Sequence, residues 1–288
     1  MPKKKLEKVE KDKGGSSSSR EVAKKDVNVG ERSAVKVRKE VDIDSWLEKN
    51  VEELVNSLGL DFLNLSREEY IEVLKAPVEL LYGSSTSRPD AQTMAKRFRR
   101  FAENVNPLIA LALLNLRERL RPEHIDFVVG NIGKAVLGVA PRIYREVKQL
   151  GREDTLPLLR RFWRVSWLEQ RSKTLPAECP ICLFNSLTKD MYCLVCGSVI
   201  SDKQLKESLG FDEMLMNYVR SLTCDELKQL TKYDYILING NGIKHPKDFR
   251  DGMIDIEVLL GSDDKTLIRN AYRESCGDEA SLEGAQQR

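Results

Sequence analysis

Four cysteines within eighteen positions constrain this chain more than any other feature. They read Cys179-Pro-Ile-Cys182, ten residues, then Cys193-Leu-Val-Cys196-Gly197. Two C-x-x-C pairs at this distance suit one tetrahedral ion. Each pair makes a tight knuckle, and the residues between form a short hairpin that brings the knuckles together. Pro180 stiffens the first turn, and Gly197 permits the left-handed conformation that follows the second. So short a segment has too little apolar surface to fold alone, so the binding energy of the ion becomes folding energy. The spacing predicts one structural Zn2+ held by Cys179, Cys182, Cys193 and Cys196. A redox dithiol needs only one such pair and a βαβ setting that is missing here. Iron–sulfur proteins space their cysteines differently. Four protein sulfurs also leave no open coordination position for catalysis.

The second knuckle, Tyr192-Cys-Leu-Val-Cys-Gly-Ser-Val-Ile-Ser201, resembles the ribbon knuckles of the zinc-ribbon superfamily, found in archaeal and eukaryotic transcription factors and other informational proteins. The first pair departs from the commonest form, because Leu183 stands where a glycine usually follows the second cysteine. The resemblance covers about residues 177–202 only. It implies a setting rather than an activity, since ribbons bind nucleic acid, bind proteins or brace a domain.

The rest of the chain patterns as a mainly α protein: an N-terminal helical domain, a central zinc ribbon and a small α+β C-terminal unit. Residues 1–40 hold thirteen Lys/Arg against seven Asp/Glu, four consecutive serines and no aromatic residue. They read as a disordered basic tail. Residues 41–175 read as an all-α domain of about six helices. Asp44 is placed to cap the first, and Ser66 with Glu69 forms a capping box for the second. Pro89, Pro107 and Pro122 are placed to open the next three, and Pro141 to end or kink the run before it. Asp154 is placed to cap the helix from Leu156 to Arg171. Residues 176–202 are the ribbon. Residues 203–276 read as a small α+β or helical domain, with strands at Tyr233–Ile238 and Ile254–Leu260 around the Asn239-Gly-Asn-Gly242 turn. Residues 277–288 read as a disordered polar tail.

The formal net charge of +2 argues against a protein that coats a polyanion through bulk charge. Its distribution is uneven, at −7 over residues 41–83 and +9 over residues 84–175. Within the basic block, Arg160, Arg164, Trp167 and Arg171 recur at three- and four-residue spacing and share one helix face. Arginine suits bidentate phosphate contacts, and an indole can stack on an unpaired base. Lys96, Arg97, Arg99 and Arg100 form a second cluster. The expected function is a non-enzymatic accessory of transcription, replication or RNA metabolism that binds DNA or RNA. Its phosphate contacts would come from these residues with Arg161, Lys173 and Lys189. The alternative is a protein-interaction adaptor docking a larger informational complex, its zinc purely structural. Arginine-rich faces also pair with acidic neighbours, and residues 41–83 are available to receive them.

No catalytic constellation stands out. His124 reads as a surface or capping residue at a helix start, and His245 as a loop histidine without a partner. Cys224 and Cys276 read as ordinary thiols. Neither a P-loop nor a G-x-G-x-x-G signature occurs. The opening MPKKKLEKVEKDKGG has no apolar stretch of the secretory kind, and no run of apolar residues is long enough to span a membrane. Clustered thiols fit a reducing compartment. The expected location is cytoplasmic, with a nucleoid or nuclear setting included.

Overall fold

Helix α1 (Ile43–Leu58) places Trp46, Leu47, Val51, Leu54 and Val55 on one buried face and ends at Gly59, whose φ of 66° suits glycine. Its N-cap is Asp42, whose carboxylate accepts from the Ser45 amide at 3.2 Å. Asp44, expected there, lies in the first turn and pairs with Lys75. The capping box of helix α2 (Arg67–Tyr82) is present: the Ser66 amide donates to Glu69 at 2.8 Å, and the Glu69 amide to the Ser66 hydroxyl at 3.2 Å. Helix α3 (Ala91–Arg100) is capped by Asp90. These features belong to a computed structural model that describes residues 42–82, 89–117, 119–249 and 254–277. The tail expected at 1–40 lies outside the described residues, as does all of the one expected at 277–288 except Gly277.

Two prolines fall where the sequence did not place them. Helix α4 (Ala102–Leu116) starts directly after Phe101, so Pro107 lies in its second turn. Helix α5 (Pro122–Asn131) does open on its proline. The break that follows comes at Gly133, φ 50°, within a 3-10 turn. Pro141 sits inside helix α6 (Val136–Gln149) without ending it. One lost backbone hydrogen bond is tolerated because Val136, Ala140, Ile143 and Val147 bury a continuous stripe. Helix α7 (Leu156–Gln170) has Thr155 at its N-cap, and Asp154 instead pairs with Arg152. Helix α2 packs on α4, α1 on α2 and α3, α4 on α5, and α6 on α7.

Beyond the cysteines, Ser201 caps helix α8 (Asp202–Leu209), followed by α9 (Phe211–Ser221) and α10 (Cys224–Leu230). Strands β1 (Tyr235–Asn239), β2 (Gly242–Lys244) and β3 (Ile256–Leu259) form an antiparallel sheet in the order β2-β1-β3. Asn239 pairs with Gly242 across the expected turn, and Ile236 with Val258 on the other side. Helix α11 (Ser262–Cys276) closes the unit. Eleven α-helices and three short strands among the described residues make the fold mainly α, with its sheet near the C-terminus. No helix among these residues is long and apolar enough to cross a membrane.

Cys224 and Cys276 are not free thiols. They are joined by a disulfide with Cα atoms 5.6 Å apart. The two positions lie 52 residues apart in sequence, but α10 packs on α11 and brings them together.

Candidate metal centre and the helix it rests on

The two knuckles share one backbone design. The Leu183 amide donates to the Cys179 carbonyl and the Cys179 amide to the Phe184 carbonyl, both at 2.8 Å. In the second knuckle Gly197 donates to Cys193 at 3.0 Å, and Cys193 to Ser198 at 2.8 Å. Both designs require a left-handed residue after the second cysteine. Gly197 supplies it at φ 77° and Leu183 at φ 62°. A side chain in that conformation costs about 1–2 kcal/mol, so the departure seen in the sequence is a strained leucine. Isolated bridges close each knuckle, Glu178 with Asn185 and Tyr192 with Val199, and Leu187 with Cys193 spans the hairpin between them.

This scaffold brings the four predicted ligands to one point. All four sulfurs lie within 4.8 Å of one another, with Cys179 and Cys196 at 3.8 Å and Cys182 and Cys193 at 3.5 Å. Cys179, Cys182 and Cys193 are buried and Cys196 is half-buried. Donation from the Cys179 and Cys182 thiols, with the Ser186 hydroxyl 3.1 Å away, holds Cys193 far below the ordinary thiol range. Cys182 is pushed far above it by its bonds to Cys179 and Cys193 and by burial. Sulfurs this crowded cannot all carry charge without a cation among them. The cluster can hold a metal ion.

Helix α7 is the bed of this module. The Trp163 indole donates to the Asn185 carbonyl at 2.7 Å, and its ring meets Phe184 edge-on. Arg164 Nε donates to Asn185 Oδ1 at 2.7 Å, and its terminal nitrogen pairs with Glu178 at 2.9 Å. Arg160 Nε donates to the Cys182 carbonyl at 3.0 Å, inside the first knuckle. Asn185 Nδ2 closes the network on the Pro176 carbonyl at 3.1 Å.

The residues expected to contact phosphate therefore divide into two sets. Arg160 and Arg164 hold the cysteine module. Arg97 donates to the Leu81 carbonyl and Arg99 to the Ser57 carbonyl. Trp167 is buried beside Trp163, so its ring is not open to a base. Arg117, also in the basic block, pairs with Glu69 of the acidic segment. Lys96, Arg100, Arg161, Arg171, Lys173 and Lys189 are exposed, with no acidic partner among the described residues. Meanwhile Ile181, Leu183, Tyr192, Leu194 and Val199 of the module are exposed, as are Leu158, Val165 and Leu168 of α7. Helical spacing had shown which arginines share a face, but not what packs on it.

Both histidines are structural. His124 is fully buried; its Nδ1 accepts from the Arg121 amide, Nε2 lies 2.8 Å from the Leu63 carbonyl, and burial holds its pKa down. It does cap α5, but from inside the core. His245 is buried, accepts from the Lys247 amide at 3.1 Å and packs edge-on against Tyr233.

Comparison with protein-family models, with curated proteins and with solved structures finds no match to this chain.

Proposed function

We propose that this chain is a zinc-braced protein-interaction adaptor, in which the cysteine module and α7 form one rigid docking unit. The observation that carries the reading is a reversal of the expected polarity. Arg160 and Arg164 face the module they hold, while Val199, 72% exposed, and Tyr192, which it faces across a bridge, lie open to solvent. Contiguous apolar side chains at a surface characterise partner-binding sites.

Zinc suits the sulfur geometry. A tetrahedral site with Zn–S bonds of about 2.3 Å requires S···S separations of about 3.8 Å. Two of the pairs, at 3.8 and 3.5 Å, lie near this value, and all four sulfurs fall within 4.8 Å of one another. Cys179, Cys182, Cys193 and Cys196 would be its ligands. Bound there, zinc supplies folding energy and no chemistry, because every ligand position belongs to the protein.

A photo-reactive phenylalanine analogue in place of Val199 tests the reading. After nuclease treatment of a native lysate, it should crosslink one defined protein, and Leu194→Ser should abolish the product. Association that disappears with nuclease and with salt would instead support nucleic-acid binding through Arg161, Arg171, Lys173, Lys96, Arg100 and Lys189. The exposure of those six side chains keeps that second reading in view.

A further inference from the structure

Helix α7 presents three distinct faces. Leu156, Leu159, Trp163 and Trp167 form the buried one, and Arg160 and Arg164 the flank that holds the first knuckle. The third carries Leu158, Arg161, Val165 and Leu168 at three- and four-residue spacing, opposite the core. Its three apolar side chains are 40%, 46% and 45% exposed. Beside it lies a hollow of about 420 Å³ between Pro157, Arg160, Arg161, Arg164 and Val165. Arg160 links that hollow to the first knuckle, since the carbonyl it bonds belongs to Cys182, between exposed Ile181 and Leu183.

We propose that this stripe seats an acidic amphipathic helix of a partner protein, with Leu183 as an added apolar anchor. The inference rests on the adaptor reading above and names the kind of segment it binds. The stripe alternates aliphatic groups with an unpaired guanidinium, so its occupant must bring apolar side chains and negative charge at the same repeat. A helix with an apolar stripe and acidic flanks does both. A polynucleotide would satisfy Arg161 but leave Leu158, Val165 and Leu168 in water. Residues 1–40 carry a net +6, the sign of the stripe itself, and do not complement it. The strain at Leu183 points the same way. Glycine would make that turn without cost, yet the position holds an exposed leucine.

The probe is a labelled amphipathic peptide of about sixteen residues, long enough to match α7, with leucines on one face and Glu or Asp elsewhere. Its fluorescence anisotropy is followed as the full zinc-loaded chain is added. Controls are a peptide with scattered leucines, one with Lys for every acid, and a duplex DNA of similar charge. Only the first should bind. Val165→Asp and Arg161→Glu should each weaken it about tenfold or more, without lowering the melting temperature. Leu183→Gly should weaken it severalfold and melt no earlier. Equal binding by the scattered peptide or by DNA would reduce the stripe to bare charge and overturn the proposal. So would no binding by any probe, or closure of the face by a second copy in sedimentation. If crosslinking at position 199 survives Val165→Asp, the adaptor reading stands and only its seat on α7 is lost. If no crosslink forms at all, the adaptor reading itself fails.

Discussion

The indole of Trp163 donates to the main-chain carbonyl of Asn185 at 2.7 Å, and both residues are buried. One hydrogen bond thus ties the core face of α7 to the hairpin between the two knuckles. Trp163→Phe keeps an aromatic ring against Phe184 but leaves that carbonyl without a donor. The cost of such a buried orphan is about 1–3 kcal/mol, with a further penalty for the smaller ring. Asn185→Ala frees Arg164 and the Pro176 carbonyl instead. Because both changes cut one network, the double variant should lose less than the sum of the singles. Denaturant midpoints of the three variants check this.

Removing the metal should release the module from α7. Trp163 packs against Phe184, which follows the first knuckle directly, so chelation should shift indole emission to the red. Cys182→Ser should do the same without chelator. The metal-free site binds more protons than the loaded one, so metal affinity falls as pH falls. Competition with a chromophoric chelator across pH should show that sign, and elemental analysis one zinc per chain.

Leu183→Gly is expected to leave the stability of the folded chain nearly unchanged. Relief of the left-handed leucine gains about 1–2 kcal/mol. The greater freedom of glycine in the unfolded chain returns about 0.4–1 kcal/mol of it. The side chain is 42% exposed, so the burial of its remainder, about 1 kcal/mol, is lost as well. An unmoved denaturant midpoint is the expected result, and a clearly lowered one would mean that Leu183 packs to greater effect than its exposure implies.

Local chemistry made much of this fold legible. The Ser66–Glu69 box is set by residues three apart, and the knuckle ligands by two-residue gaps. Pro107 and Pro141 misled because the buried stripes of α4 and α6 outweigh one missing hydrogen bond each. Strand β2 is only Gly242-Ile-Lys244, too short to show alternation, and exists because β1 supplies its partner. The direction of Arg160 and Arg164 depended on the module that packs beside them. That is a tertiary fact, absent from the spacing of their own helix.

Acid should loosen helix α10 before it reaches its own core. Glu226 is held down to about 2 by the Thr223 amide and then by Lys247, whose ammonium lies 3.0 Å away. A depressed carboxylate stabilises the fold above its unfolded value, and that contribution is lost as pH falls through the folded one. The window therefore runs from the ordinary glutamate range near 4.5 down to about 2. Protection factors of the Leu227 and Leu230 amides should fall across it, and Glu226→Gln should flatten the response while lowering protection at neutral pH.

The Cys224–Cys276 disulfide should be the main staple of the C-terminal unit. It joins the start of α10 to the last residue of α11 across 52 positions. Closing a loop of that length in the unfolded chain corresponds to about 4 kcal/mol in the chain-entropy account. The sheet has only three short strands, and α11 buries only Ile268 fully, its other ties being packing on α9 and α10 and ion pairs such as Lys206–Asp264. A dithiol reductant should therefore lower the unfolding midpoint, and Cys276→Ser should reproduce the loss without reductant. Alkylation before reduction should leave Cys224 and Cys276 unmodified in the mass spectrum. Their modification at that step would show two free thiols instead, the state expected of a reducing compartment.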